Sequence, residues 1–248
     1  MSPTASTSAD RPANAGNAGN AAAKALDWAG EAGAVFVKEW RCEFRTRYAL
    51  NTLGLFAFTT LVVVSVSLGP LGIARAQGSA VLPVLLWLIL LFSVAAGLPR
   101  AFVQEEESQT ATALRLTATP SALFCGKLLY CLTLVGALEL LVTPLYVMLM
   151  TVTVENPGLL VATLAAGGFG LAVGSTLVAA IIAQARSKGT LFSVMAFPIL
   201  LPLLLLAVEL TRNAFQGGSG GVALSQLLLY DASVSVAGLM LFPVIWNP

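Results

Sequence analysis

Residues 158–183 read GLLVATLAAGGFGLAVGSTLVAAIIA, a run of 26 residues without a charged side chain. A helix needs about 20 mostly apolar residues to cross the hydrocarbon layer of a bilayer. The run is continuous rather than alternating, which favours a helix over a strand of a membrane barrel. This stretch therefore predicts a membrane-spanning helix and sets the class of the protein.

The composition of the whole chain agrees with that class. Of the 248 residues, 57% are hydrophobic and only 10% are charged, whereas soluble domains carry about 25% charged residues. The mean hydropathy is +0.86. The net charge of +1, without a dense basic cluster, gives no reason to expect nucleic acid as a partner. We predict an all-α, polytopic integral membrane protein.

Five further runs have the length and apolarity of a span. The six predicted spans are 50–69, 81–98, 128–152, 158–183, 190–210 and 222–246. Residues 1–31 are rich in small and polar residues, which predicts a disordered cytoplasmic tail ahead of a membrane domain at 32–248. The connections on the far side of the membrane, 70–80, 153–157 and 211–221, are expected to be short.

The distribution of Lys and Arg predicts the orientation of the spans, because these residues accumulate on the cytoplasmic side. With a cytoplasmic N-terminus, only Arg75 and Arg212 fall outside. The eleven others fall inside: Arg11, Lys24, Lys38, Arg41, Arg45, Arg47, Arg100, Arg115, Lys127, Arg186 and Lys188. Six spans then return the C-terminus to the cytoplasm, as expected for a multi-pass protein of a bacterial inner membrane.

An amphipathic helix is predicted at 35–48, just before the first span. Four aromatic residues recur there at every fourth position, on one helical face: Phe36, Trp40, Phe44 and Tyr48. Charged residues cover the rest, including Glu39 and Glu43. A basic helix with an aromatic stripe is typical of one lying in the membrane interface. Packing against a soluble protein is the alternative.

The longest cytoplasmic connection joins spans two and three, and its sequence is FVQEEESQTATALRLTATPSALFCGK, residues 102–127. The acidic cluster Glu105, Glu106 and Glu107 stands where a helix can begin, since the positive end of a helix dipole favours acidic residues. Thr119-Pro120 predicts a break, and Ser121 is a plausible cap for the next helix. By charge alone, an ordinary solvated loop is the preferred interpretation of the segment.

The order of residues in this connection resembles the cytoplasmic loop of type 2 ABC export permeases. Acidic residues, a small-residue turn, a Leu-rich helix, a Thr-Pro step and a Gly-Lys pair follow one another in that loop. The matching residues are Glu106, Glu107, Thr110, Leu114, Arg115, Thr119, Pro120, Gly126 and Lys127. Gln109 stands where those proteins have glycine.

Three stretches carry a narrower similarity: EWRCEFRTRYALNTLGLFAFTT at 39–60, PRAFVQEEES at 99–108 and the fourth-to-fifth connection, with Arg186 and Lys188 before a Pro-rich span. In these stretches the chain most resembles, within that group, the haem exporter protein B family, the permease subunit of cytochrome c maturation. The similarity covers about residues 36–246.

This resemblance implies that the chain is a non-catalytic subunit. A separate ATP-binding subunit would dock under Glu105–Leu116 and the 184–189 loop. The chain has no GxxxxGK[ST] phosphate loop, so ATP would be used by that partner. The resemblance further implies other cytochrome c maturation subunits and a haem chaperone as partners, and it leaves open whether the complex moves haem or releases a loaded chaperone.

Two carboxylates interrupt the apolar spans, Glu139 in the third and Asp231 in the sixth. A charge at this depth is costly, so each must be protonated, paired or beside water. They are candidates for a substrate or proton path, and structural hydrogen bonding is the alternative. In span four, Ala166, Gly170 and Gly174 recur at every fourth position, which allows close helix packing within the chain or in a homodimer.

No cofactor is expected to bind this chain directly, although the complex would handle haem. The chain has no histidine. The methionines Met148, Met150, Met195 and Met240 are more typical of packing than of haem ligation. Three other functions stay open: a type 2 ABC permease for a drug, lipid or polysaccharide, an ion-coupled carrier using Glu139 and Asp231, and a non-transporting scaffold.

Overall fold

The computed structural model describes residues 13–68, 75–98, 119–183 and 191–246. These residues form seven helices and no β-strand. The helices are α1 (Ala13–Thr46), α2 (Tyr48–Leu68), α3 (Arg75–Gly97), α4 (Pro120–Leu149), α5 (Pro157–Ala183), α6 (Leu191–Gln216) and α7 (Gly221–Trp246). Helices α2 to α7 are each long and apolar enough to cross a membrane. The predicted all-α class with six spans is therefore confirmed.

Helix α5 lies at the centre of the bundle. In its most apolar stretch 83% of the residues are buried, compared with 22% in α2 and in α7. Helices α4, α6 and α7 pack directly on α5, and α3 reaches it more narrowly. Helix α2 packs on α3 and α4, and α1 packs on α4.

Glycines on α5 explain how so many helices approach it. A Cβ atom on Gly167 would collide with the Trp87 indole of α3, and one on Gly174 would lie 2.5 Å from Leu200 Cδ2 of α6. Inside a bilayer the hydrophobic effect does not drive helices together, so they associate through close packing, and small residues let their backbones approach closely. The predicted stripe of small residues in this span therefore serves packing within the chain, and it is covered rather than free for a second copy.

The Trp87 side chain is held in place by burial and by a hydrogen bond to a neighbouring helix. It is fully buried, and its Nε1 donates a 2.8 Å hydrogen bond to Thr211 Oγ1 of α6. A buried indole N–H needs such a partner. Because the ring cannot swing away without losing this bond, the absence of a side chain at Gly167 is a steric requirement.

The structure corrects three boundaries in the sequence prediction. Helix α4 begins at Pro120 rather than 128, so that Lys127 lies inside the helix. Helix α6 continues to Gln216 rather than ending at 210, which shortens the predicted 211–221 connection to 217–220. The cap of α4 is Thr119, with extended φ and ψ of −69° and 141°, and Pro120 occupies the first helical position instead of the predicted Ser121 cap.

The predicted tail and interfacial helix also change. Helix α1 begins at Ala13, so the tail prediction for 1–31 is wrong from that residue onward, and residues 1–12 lie outside the described chain. Alanine is frequent in this segment and has the highest helix propensity, which the prediction of a disordered tail did not take into account. Helix α1 ends at Thr46, Arg47 takes a left-handed φ of 51°, and Tyr48 opens α2 rather than closing the aromatic helix.

We predict that Gly167→Ala lowers the free energy of unfolding by about 1–3 kcal/mol, the usual cost of overpacking a core. Gly136→Ala in α4 is the matched control, because a Cβ there meets nothing within 4 Å. Thermal unfolding of the detergent-solubilised variants would measure both changes. Equal midpoints for the two variants would contradict the central position of α5.

Candidate functional site

The start of α4 carries a polar contact surface for α1, which we call the α1–α4 seam. It joins Trp28, Glu31, Glu39 and Glu43 of α1 to Thr119, Ser121, Lys127 and Tyr130 of α4. The three carboxylate contacts, Glu31 with Thr119, Glu39 with Lys127 and Glu43 with Tyr130, follow one another in the same order along both helices, so the two helices run in the same direction. The α4 side of the seam directly follows the 99–118 connection, which lies outside the described residues. This connection contains six of the predicted docking residues: Glu105, Glu106, Glu107, Thr110, Leu114 and Arg115.

The centre of the seam is a buried ion pair. Lys127 is fully buried, and its Nζ lies 3.1 Å from Oε1 of Glu39, which is itself only 7% exposed. Lys38 approaches the same oxygen at 3.2 Å from a more exposed position. A buried charge without a partner is strongly destabilising. The Lys127 side chain therefore faces α1, and its predicted position in a docking loop is corrected to a position within the helix packing.

A second acidic residue one turn along α1 joins three helices. Glu43 accepts a hydrogen bond from Tyr130 Oη of α4 at 3.1 Å and another from the Leu50 backbone N–H of α2 at 2.9 Å. The Leu50 amide is in the first turn of α2, where no helical partner is available. Glu43 thus caps α2 while it holds α4, so one carboxylate links α1, α2 and α4.

The beginning of α4 is held by a third carboxylate. Glu31 Oε2 accepts hydrogen bonds from the Thr119 backbone N–H at 3.0 Å and from Thr119 Oγ1 at 2.7 Å. These bonds favour the ionised form and lower the pKa of Glu31. Because the pKa of Glu31 is lower in the folded state than in the unfolded state, the ionised carboxylate stabilises the fold at neutral pH. This stabilisation is lost as the pH falls through the folded-state pKa of Glu31. Trp28 Nε1 adds a 3.0 Å bond to Ser121 Oγ.

A glycine on α4 brings the two helices close enough for these contacts. A Cβ atom on Gly126 would lie 2.7 Å from the Ala32 carbonyl oxygen and 2.7 Å from Val35 Cβ. The Gly126-Lys127 pair, singled out in the sequence, therefore has two roles in helix packing. Gly126 permits the approach of α1, and Lys127 neutralises the carboxylate that this approach buries.

The aromatic stripe of α1 lies along the edge of the seam. Trp40 stacks on Phe44 at 5.0 Å between ring centroids and meets Tyr130 edge-on at 6.0 Å. Phe36 and Trp40 are half-buried, whereas Phe44 is 64% exposed. The sequence analysis grouped Glu39 and Glu43 with the charges that cover the rest of the helix, whereas the structure separates these two from the others and buries them against α4. Whether the exposed side of α1 lies in a membrane interface stays a prediction.

Comparison with known proteins identifies the family. The model of the family described as CcmB protein matches residues 31–245. The chain belongs to the CcmB family. The matched region begins at Glu31, so it contains most of the α1–α4 seam as well as all six spans. The curated relative Heme exporter protein B of Bradyrhizobium diazoefficiens is 27% identical over 165 residues, which is 66% of this chain and 72% of that protein.

The two predicted intramembrane carboxylates in this CcmB family member lie beside α5 at similar depth. Glu139 of α4 faces Gly168, whose added Cβ would lie 2.5 Å from Glu139 Oε1. Asp231 of α7 faces Gly170, where an added Cβ would collide with its Oδ1. Positions two apart on a helix project about 200° apart. The two carboxyl groups are therefore on nearly opposite sides of α5, and they do not form a shared site.

Both residues are buried, and three of their four carboxyl oxygens are enclosed without a hydrogen-bond partner among the described residues. Glu139 is 9% exposed and Asp231 is 3% exposed. Glu139 Oε1 and both Asp231 oxygens are buried and unbonded, as is Oγ1 of Thr143, one turn beyond Glu139 on α4. The structural hydrogen bonds considered as the alternative explanation are thus not formed by these atoms within the described chain.

The remaining sequence candidates have simpler positions. Arg186 and Lys188 lie outside the described residues. Met148 and Met240 are 76% and 70% exposed on the outer surface of the bundle, and Met150 is half-buried. Sequence reasoning missed Trp28 and Glu31. The spacing of Glu31, Val35, Glu39 and Glu43 at every fourth position was the available signal, since it places all four on one face.

We predict that Lys127→Met lowers the free energy of unfolding by about 3–5 kcal/mol, because it removes the buried cation and leaves Glu39 with only the more exposed Lys38 beside it. The double variant Glu39→Leu/Lys127→Met should recover much of this loss, since neither charge then remains. Lys38→Met is the control, because its partly exposed pair with Glu39 is worth at most about 1 kcal/mol. Thermal unfolding of wild type, Lys127→Met, Glu39→Leu and the double variant measures the cycle. Losses of the two single variants that add up in the double variant would contradict a buried pair.

Proposed function

We propose that this chain is the membrane-spanning subunit of an ATP-driven exporter that handles haem for cytochrome c maturation. The observation that carries the proposal is the family match over residues 31–245, supported by the name of the curated relative, a haem exporter protein. Six spans in the described chain provide the membrane part of such an exporter. The excess of Lys and Arg in segments assigned to the cytoplasm supports an inner-membrane location with both termini inside.

In this proposal, ATP hydrolysis belongs to a separate subunit. The sequence has no GxxxxGK[ST] phosphate loop. The partner would dock on the 99–118 connection, with Glu105, Glu106 and Glu107 steering it, and on the 184–190 connection with Arg186 and Lys188. Charges at the rim of an interface mainly affect the rate and register of association. Other cytochrome c maturation subunits and a haem chaperone would complete the complex, with haem as its cargo.

The α1–α4 seam gives a physical route from that docking region into the membrane. The 99–118 connection leads directly into Thr119, which Glu31 holds through two hydrogen bonds. Lys127 and Tyr130 hold the next turns of α4 to α1, and Glu43 extends the link to α2. A displacement at the end of the connection would therefore move α1, α2 and α4 together. Such a link between a cytoplasmic motion and the spans is what an ATP-driven permease needs.

The test is disruption of the gene, followed by detection of covalent haem in c-type cytochromes on denaturing gels. We predict loss of these cytochromes and recovery with the wild-type gene. A tagged copy should also co-purify with an ATP-binding subunit in mild detergent, and changing Glu105, Glu106 and Glu107 to Ala should weaken that association. The control is Glu155→Ala, an exposed carboxylate between α4 and α5.

The outcomes separate the alternatives. Normal c-type cytochromes with a co-purifying ATP-binding subunit would favour an exporter of another cargo, such as a drug, lipid or polysaccharide. Transport by the chain alone that is driven by an ion gradient and indifferent to ATP would favour a secondary carrier. A wild-type chain that co-purifies with no ATP-binding subunit from its native membrane would contradict the proposal.

A further inference from the structure

The bundle contains two ionisable groups that neither packing nor the proposed docking explains. Glu139 and Asp231 are each more than nine-tenths buried and lie against glycines of the most buried span. Three of their oxygens and the hydroxyl oxygen of Thr143 have no hydrogen-bond partner among the described residues. Buried polar groups are normally bonded, so an orphaned set of this kind calls for a ligand or a change of charge state.

Within the part of the chain that the structure describes, no cation is positioned to neutralise either carboxylate. Helix α5, which faces both groups, contains no ionisable residue. Beside Asp231, α7 contributes only Tyr230, whose hydroxyl donates to the Ile199 carbonyl of α6. Helix α6 carries Glu209 and Arg212, both exposed and both beyond Leu203, the α6 residue at the Asp231 contact. On α4, Lys127 lies about three turns before Glu139 and is paired with Glu39.

The surroundings select the neutral form of each carboxyl group. An ionised carboxylate without a partner in the hydrocarbon region costs at least about 2–3 kcal/mol, whereas a protonated carboxyl carries no net charge. Glycines at 168 and 170 leave room for the two carboxyl groups next to the α5 backbone, where Cα–H groups are weak donors. Each of the two sites therefore accommodates a carboxyl group, and its apolar surroundings favour the protonated, uncharged form.

We propose that Glu139 and Asp231 are proton-binding sites inside the membrane, one on each side of α5, and that α4 and α7 close on α5 only while both carboxyl groups hold their protons. Thr143 places an unbonded hydroxyl one turn from Glu139. When α4 and α5 separate, water takes the proton from the carboxyl group, either directly or through this hydroxyl, which accepts one proton as it releases its own. This inference is independent of the cargo, and it holds for the chain whether or not haem is what the complex handles.

Infrared spectroscopy tests the protonation directly. The purified full-length chain, in a detergent without ester groups, should show the C=O stretch of protonated carboxyl groups at neutral pH. Glu139→Gln and Asp231→Asn should each remove part of this band, and the double variant should remove the sum of the two parts. Glu155→Gln is the control and should leave the band unchanged, because the Glu155 side chain is exposed rather than enclosed in the bundle. A double-variant spectrum identical to wild type in this region would overturn the proposal.

Thermal unfolding tests the dependence of packing on the protons. The amides of Gln and Asn imitate neutral carboxyl groups, so the double variant should unfold at a midpoint close to that of wild type at neutral pH. At alkaline pH the wild-type midpoint should fall further than that of the double variant. An equal fall in both proteins, or a large loss in the double variant at neutral pH with a normal wild-type band, would overturn the coupling. Cytochrome c content tests the function proposed above and is separate from these readouts.

Discussion

The close approach of neighbouring helices to α5 is the constraint on which the rest of the bundle depends. Inside a bilayer no hydrophobic force distinguishes helix contacts from lipid contacts, so association depends on shape and on polar contacts. Glycines 167, 168, 170 and 174 present bare backbone to α3, α4, α6 and α7. One of these contacts is an indole anchored by a buried hydrogen bond, and two are carboxyl groups. The same glycines that permit packing therefore also create the places where polar groups are enclosed.

The α1–α4 seam is held by charged side chains rather than by close packing on glycines alone. It lies at the start of α4. Three carboxylates on one face of α1 meet a backbone N–H, an ammonium group and a phenol on or next to α4. Charge-assisted bonds of this kind are directional and about twice as strong as neutral ones. They fix the register of α1 along α4, and Glu43 passes that register to α2. In an exporter driven from the cytoplasmic side, this arrangement would let three helices respond as one body to a partner.

Hydropathy was sufficient for the six spans but not for their ends. Lys127 led the sequence prediction to start the third span at 128, although α4 begins at Pro120, because the carboxylate that neutralises it lies 88 positions earlier. Thr211 and Arg212 led to an early end for the fifth span, although Thr211 is buried on Trp87. Glu39 and Glu43 were grouped with the other charges of α1 for the same reason, although both are buried against α4. From sequence alone a charged residue is expected to be exposed to solvent. Its burial becomes evident only when the structure shows the partner that it contacts. Glu139 and Asp231 needed no partner to be noticed, since isolated carboxylates stand out in apolar spans.

Hydrogen–deuterium exchange on the complex with its ATP-binding subunit, with and without a non-hydrolysable ATP analogue, tests the central claim most directly. That claim is that α1 and the start of α4 form one body joined to the 99–118 connection. The account predicts that the nucleotide changes exchange in 99–118 and in the α1 residues 28–43 together, while α5 stays protected throughout. A change confined to 99–118, with α1 exchanging as rapidly as an undocked helix in both states, would contradict it.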